Sequence, residues 1–325
     1  MPRLPRLAGA AAAALALGVI VAAPAAGQDQ PVTAPHIVAH FDLAAGQTPE
    51  NIALERDGSA DLTLAFARQV ARVTRDGHTR ILATLPAEPN PNAPLVRRAA
   101  VTGIARAHDG TLYVNYVTGT SRTGIWRLGP DGGAPVQIAR LPHDGFPNGL
   151  ALDERQGVLY TADSALGTVW RVPLSGGTAT PWCRAAALGP LPSPPAAGFG
   201  ANGLKVHRGA VWVSNTDRGT LLRIPVGEDG SAGPVETRAS GLAGIDDFGF
   251  PGHGSSVLVA LDPDNQVVLV HSDGSSTVVL DRQDGLSNPT SVAVLGRTVY
   301  VPSAGYFTRQ DPNLLLARLQ HPIGR

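Results

Sequence analysis

Six residues, each heading one copy of a recurring motif, carry the side chains best suited to chemistry. In chain order they are Glu50, Thr102, Asn148, Asn202, Asp246 and Thr290, at intervals of 44 to 54 residues. Four of them offer carboxylate or carboxamide oxygens, and the two acids match one divalent ion in charge. Oxygen donors at about 2.3–2.6 Å, with waters completing six to eight ligands, describe calcium. Zinc would require His or Cys at these positions, and neither is there. Glu50 and Asp246 weigh most, because a carboxylate in a narrow channel is costly without a counter-charge. Asn148-Gly149 and Asn202-Gly203 also have a plainer reading, as turn dipeptides.

The elements that must position these residues follow from the repeat. Its clearest copy is Phe146-Pro147-Asn148-Gly149-Leu150-Ala151-Leu152-Asp153, a polar turn leading into a short strand. Pro49–Leu54, Val101–Arg106, Ala201–Val206, Ile245–Phe250 and Pro289–Val294 align with it. Each copy is followed by a Gly-containing turn and a second strand, such as Val158–Thr161 or Val211–Ser214. A third strand such as Thr168–Val172 and a fourth such as Val136–Ala139 complete the unit. Four short strands in about 45 residues, repeated, are the pattern of a propeller blade. The sixth unit supplies only three strands, and His36–Phe41 can provide the fourth. Pairing the two ends this way removes the open sheet edge. The expected fold is therefore an all-β, six-bladed propeller of four-stranded blades, closed by the N-terminal strand.

The blades resemble those of the SMP-30/gluconolactonase/LRE-like superfamily, which is related to the paraoxonases and diisopropylfluorophosphatase. The likeness spans roughly residues 46–305 and is sharpest at Phe146–Asp153, Leu159–Ser164 and Val169–Val172. It implies a six-bladed propeller with a catalytic divalent cation at the channel mouth, and hydrolysis of lactones or phosphoesters. By position it makes Glu50, Asn148 and Asn202 metal ligands. Two positions depart from the family pattern. Asn202 stands where gluconolactonase-like members have Asp, and the second blade offers Arg97, Arg98 and Thr102 in place of Arg-x-Asn.

A metal-polarised carbonyl needs a base to activate water. Asp246 or its neighbour Asp247 is the first candidate and His143 the second. Asp163 and Asn215-Thr216-Asp217, at second-strand ends, read as turn-satisfying groups. Trp126, Trp170 and Trp212 read as packing between blades. The proline-rich stretches Pro86–Pro94 and Ala185–Gly200 precede inner strands, so they should border the mouth.

Residues 1–26 read as a secretory signal peptide, with Arg3 and Arg6 before an apolar run and Ala-rich cleavage residues. Residues 27–325 form the expected single propeller domain. The chain carries 26 basic and 26 acidic residues with no basic run, which argues against nucleic acid or an anionic membrane as partner. Cys183 is the sole cysteine, so an exported fold must hold by its core. The expectation is a secreted or periplasmic monomer, a calcium-dependent lactone or ester hydrolase acting on a small molecule. A non-catalytic propeller that binds a small ligand, glycan or protein is the other reading.

Overall fold

The computed structural model describes residues 30–192 and 198–321. The leader read over residues 1–26 lies outside them. Six four-stranded antiparallel sheets are present among the described residues. Valine, leucine and threonine in short runs favour pleated, half-buried strands, and Gly- or Asp-containing turns end each run. The third blade is representative, with strands Pro147–Asp153, Val158–Asp163, Thr168–Pro173 and Thr180–Arg184. The inner strands of the other blades are Pro49–Leu54, Ala100–Arg106, Ala201–His207, Ile245–Gly249 and Ala293–Leu295. Each inner strand contacts the next, and the last contacts the first, so the sheets close into a ring.

Closure is made by the N-terminal strand. Val32–His40 pairs antiparallel with Asn313–Leu319, from Val32 opposite Leu319 to His40 opposite Asn313. Apolar clusters fill every junction between blades. Val70 and Leu82 meet Ile104 and Val114 between the first and second blades. Ala39 and Leu316 meet Ile52 and Leu62 where the sixth meets the first. Trp126, Trp170 and Trp212 all belong to such junction clusters. Deleting residues 30–40 should expose the Asn313–Leu319 edge and remove Val32, whose burial alone contributes about 2 kcal/mol. The truncated chain is expected to aggregate or to elute as oligomers in size-exclusion chromatography. A soluble monomer with an unchanged melting point would contradict the closure.

The motif lies within the strand and is not a turn preceding it. In five of the six inner strands the ladder skips at the motif, between Pro49 and Asn51, Val101 and Ile104, Pro147 and Leu150, Ala201 and Leu204, and Ile245 and Phe248. A β-bulge frees residues from the ladder and re-aims their side chains. The glycine after Asn148 therefore answers to crowding. A Cβ on Gly149 would lie 2.5 Å from the Asn202 carbonyl oxygen of the next blade. Inner strands approach here closely enough that only a bare backbone fits.

Candidate functional site at the channel mouth

Hydrogen bonds between blades fix the bulges. Side chains from one blade donate to the bulged carbonyl of the next: Thr63 Oγ1 to Thr102 at 2.6 Å, Asn115 Nδ2 to Asn148 at 2.7 Å, and Ser164 Oγ to Ala201 at 2.7 Å. Thr216 Oγ1 donates to the Ile245 carbonyl at 2.6 Å, and Thr290 Oγ1 closes the circle onto Pro49 at 3.0 Å. The motif side chains are thereby held on a network of buried hydrogen bonds between blades, which gives the site a defined geometry.

Glu50, Asn148, Asn202 and Asp246 all line one cavity of about 460 Å³ at the mouth, together with Thr102. Thr290 is buried and its hydroxyl is committed to backbone. None of the described residues lining the cavity is Lys, Arg or His. Burial pushes the Glu50 carboxyl up to about 7; a Tyr306 hydrogen bond opposes that shift and the Asp247 charge adds to it. Burial first, then the charges of Glu50, Asp262 and Asp247, hold Asp246 well above the usual carboxylate range, with the Asn202 carboxamide pulling the other way.

The structure separates the two fifth-blade acids. Asp246 lines the cavity, whereas Asp247 does not. The bulge turns Asp247 into the ring interior, where its Oδ2 accepts from Asn51 Nδ2 and Ser291 Oγ, both at 2.9 Å, and from the Lys205 ammonium. Its Oδ1 has no hydrogen-bond partner, but Asp247 is not part of the cavity lining. His143 is exposed in the loop before the third inner strand and is not among the cavity-lining residues. Neither Asp247 nor His143 therefore shares the cavity lining with Glu50 and Asp246. His253 is exposed. Asp163 accepts from the Phe146 and Leu166 amides at 2.8 and 3.1 Å and from Trp170 Nε1 at 3.1 Å, as its turn role requires.

Two residues at the site escaped the sequence reading. Asp262 lines the cavity, is buried, and has an Oδ1 with no hydrogen-bond partner. Burial and the Glu50 charge raise its pKa well above the ordinary value. The signal was present, because Ser164, Thr216 and Asp262 each stand one residue past the end of a blade's second strand. Two of them meet the motif residue of their own blade: Asn148 Nδ2 reaches Ser164 Oγ at 3.4 Å, and Asn202 Nδ2 donates to Thr216 Oγ1 at 2.8 Å; Asp262 shares the cavity lining with Asp246. Tyr306 lies in the loop after the sixth blade's strand Thr298–Ser303, and its hydroxyl donates to Glu50 Oε2. Loop length sets that reach, so no strand register announces it.

The donors suit a hard cation. They are carboxylate and carboxamide oxygens, and one carboxylate oxygen of the lining, Asp262 Oδ1, is buried without a partner. Among the described residues no cluster of three or more His, Cys, Asp and Glu side chains is placed to hold a metal by itself. A cation here would depend on the Asn148 and Asn202 amide oxygens as well as on the acids.

No protein-family model matches the chain, and no curated protein does. Solved structures do. A luciferin-regenerating enzyme superposes with a TM-score of 0.64 at 12% identity, covering 90% of this chain and 97% of that one. A calcium-binding regucalcin from Agrobacterium tumefaciens gives 0.63 at 14% identity, covering 90% and 98%. The PQQ-bound aldose sugar dehydrogenase of Streptomyces coelicolor gives 0.60 at 16% identity, covering 88% and 98%. At such identities the likeness is one of fold, and it places the chain among six-bladed propellers whose members include enzymes of unlike chemistry.

Proposed function

We propose that this protein is an exported, divalent-cation-dependent hydrolase of lactones or esters, with calcium the expected ion. One observation carries the reading: two carboxylates and two carboxamides, from four different blades, line one cavity in which no described lining residue is basic. Glu50, Asn148, Asn202 and Asp246 would hold the cation, which when bound polarises an acyl carbonyl. The chain's own groups do the rest. Tyr306 fixes the Glu50 carboxylate through its hydrogen bond. Asp262, which lines the cavity with an unpartnered oxygen, would take a proton from attacking water. The water oxygen bonds the acyl carbon, the acyl C–O bond breaks, and the departing alcohol oxygen regains a proton. Export rests on the leader-like residues 1–26.

The test is hydrolysis of a panel of lactones and aryl esters by the full chain, with calcium or with EDTA. Turnover in calcium that EDTA abolishes is the expected result. No turnover together with no melting shift on adding either reagent would overturn the proposal. A calcium-dependent melting shift without turnover would favour a non-catalytic propeller with a structural cation.

A further inference from the structure

The wall above the donor ring differs in character from its floor. Phe66, Val96, Phe146, Leu191, Phe199 and Phe307 supply most of it. Phe146 and Phe199 meet edge to face with centroids 5.5 Å apart, and Phe66 meets Tyr306 at 5.7 Å. Phe307 is 65% exposed, a large apolar ring left in water at the rim. This wall comes from five loop regions converging over the mouth, so an apolar ligand group would be surrounded there.

The polar groups interspersed in the wall are already engaged. Thr102 Oγ1 donates to the Pro147 carbonyl at 2.8 Å, and Thr216 Oγ1 to Ile245 at 2.6 Å. Asp217 accepts the Leu191 and Gly198 amides, both at 3.2 Å, and so ties the loop bearing Leu191 and Phe199. A ligand rich in hydroxyls would give up its water on entry and find few replacements, a cost of the kind that makes polar burial unfavourable. Charge acts in the same direction. Glu50, Asp246 and Asp262 make the floor acidic, and one divalent cation brings the first two only to neutrality. Arg98 is exposed and is not a lining residue; its guanidinium carbon sits 3.2 Å from the centre of the Phe66 ring. An anionic ligand would meet no positively charged side chain among the described lining residues.

We infer that the cavity takes an uncharged ligand with an apolar tail, and that, on the hydrolase reading on which this rests, the substrates are neutral alkyl or aryl esters and alkyl-substituted lactones. Sugar lactones and phosphomonoesters are excluded as a class. The apolar wall holds the tail, and the donor floor receives the carbonyl end.

Binding and turnover can be read separately. Unreactive δ-lactams bearing no tail, a butyl tail or a hexyl tail would be titrated against the full chain in calcium by calorimetry, with gluconolactam as the polyol control. Affinity should rise about three- to fourfold for each methylene that becomes buried, and gluconolactam should bind weaker than the tailed lactams. In parallel, kcat/KM would be measured for the matching lactones, for glucono-δ-lactone and for p-nitrophenyl phosphate. Phe307→Asn and Phe199→Ser should each flatten the dependence on tail length. Tail-dependent binding without turnover of any lactone or ester would support the ligand class while removing the hydrolase reading. Affinity that is flat or falls with tail length overturns the inference, as does preference for gluconolactam. Efficient turnover of glucono-δ-lactone or the phosphomonoester would overturn it too, while leaving hydrolysis intact.

Discussion

Glu50→Gln is expected to lower calcium affinity by about 100-fold or more and to change how stability depends on pH. The first effect follows from removing a charged ligand, since lesser changes around metal ligands already cost about 10- to 100-fold in affinity. The second follows from linkage. The Glu50 carboxyl has an ordinary value of 4.5, and burial raises it to about 7 in the folded, cation-free protein. Between those values the folded state holds a proton that the unfolded chain has released. Stability without cation should therefore fall as pH rises from about 4.5 to about 7, by about 3 kcal/mol for this group, and level off above. Asp246 and Asp262, both raised, act with the same sign. On the proposed cation site calcium would bind the ionised carboxylates, so its stabilising effect should grow over the same window. Melting curves at pH 5 and pH 8, in EDTA and in calcium, measure all of this. The wild-type protein in EDTA should melt lower at pH 8, and calcium should restore it. Glu50→Gln should show a smaller pH effect and little calcium shift, and Asp246→Asn should behave alike. An EDTA melt that rises from pH 5 to pH 8, or a full calcium shift in Glu50→Gln, would be incompatible with this arrangement.

Lys205→Met should be the most destabilising single change near the channel, at about 3–5 kcal/mol. Lys205 lies on the fourth inner strand, and its ammonium pairs with Asp247, whose side chain is 1% exposed. Its nitrogen also sits 5.6 Å from the centre of the Phe248 ring. Methionine keeps the length and the packing of the stem, yet leaves a buried carboxylate with neutral partners only. The companion Asp247→Asn should cost less, because Lys205 is partly open to water and can keep its hydration. The double variant should recover much of the loss, since the uncompensated charge is gone. Denaturant unfolding of the four proteins gives the coupling directly. Additive single costs would mean that the pair contributes nothing beyond its separate side chains. Calcium binding at the mouth should survive in Lys205→Met wherever the protein is folded, which separates this pair from the donor ring.

The two adjacent acids show where sequence and structure part. Asp246 could be placed by counting, because the repeat sets its register against Glu50, Asn148 and Asn202. Their convergence follows from radial symmetry, which a periodic sequence carries in full. The blade number, the four-stranded unit and the closing strand were legible for the same reason: strand alternation and Gly-containing turns are local signals. The side on which Asp247 falls was not legible. That depends on a bulge, which breaks the two-residue alternation at the motif itself, and on Lys205, a residue of the neighbouring blade 42 positions away. His143 lies outside the cavity lining for a related reason. Proximity in sequence to the third inner strand put it in the right loop, but the loop's path leaves it in solvent.

The sequence alone thus determined the ring of blades and the order of the motif residues around the channel, since each is a property of one blade repeated. Tertiary structure alone decided what surrounds them. Tyr306 reaches Glu50 across the closure of the ring, 256 positions away, and Asp262 joins Asp246 in the cavity lining from a second-strand end. The aromatic wall is assembled from Phe66, Phe146, Phe199 and Phe307, which share no motif. Such contacts come from loops whose conformations are set by what they pack against, and no periodicity encodes that.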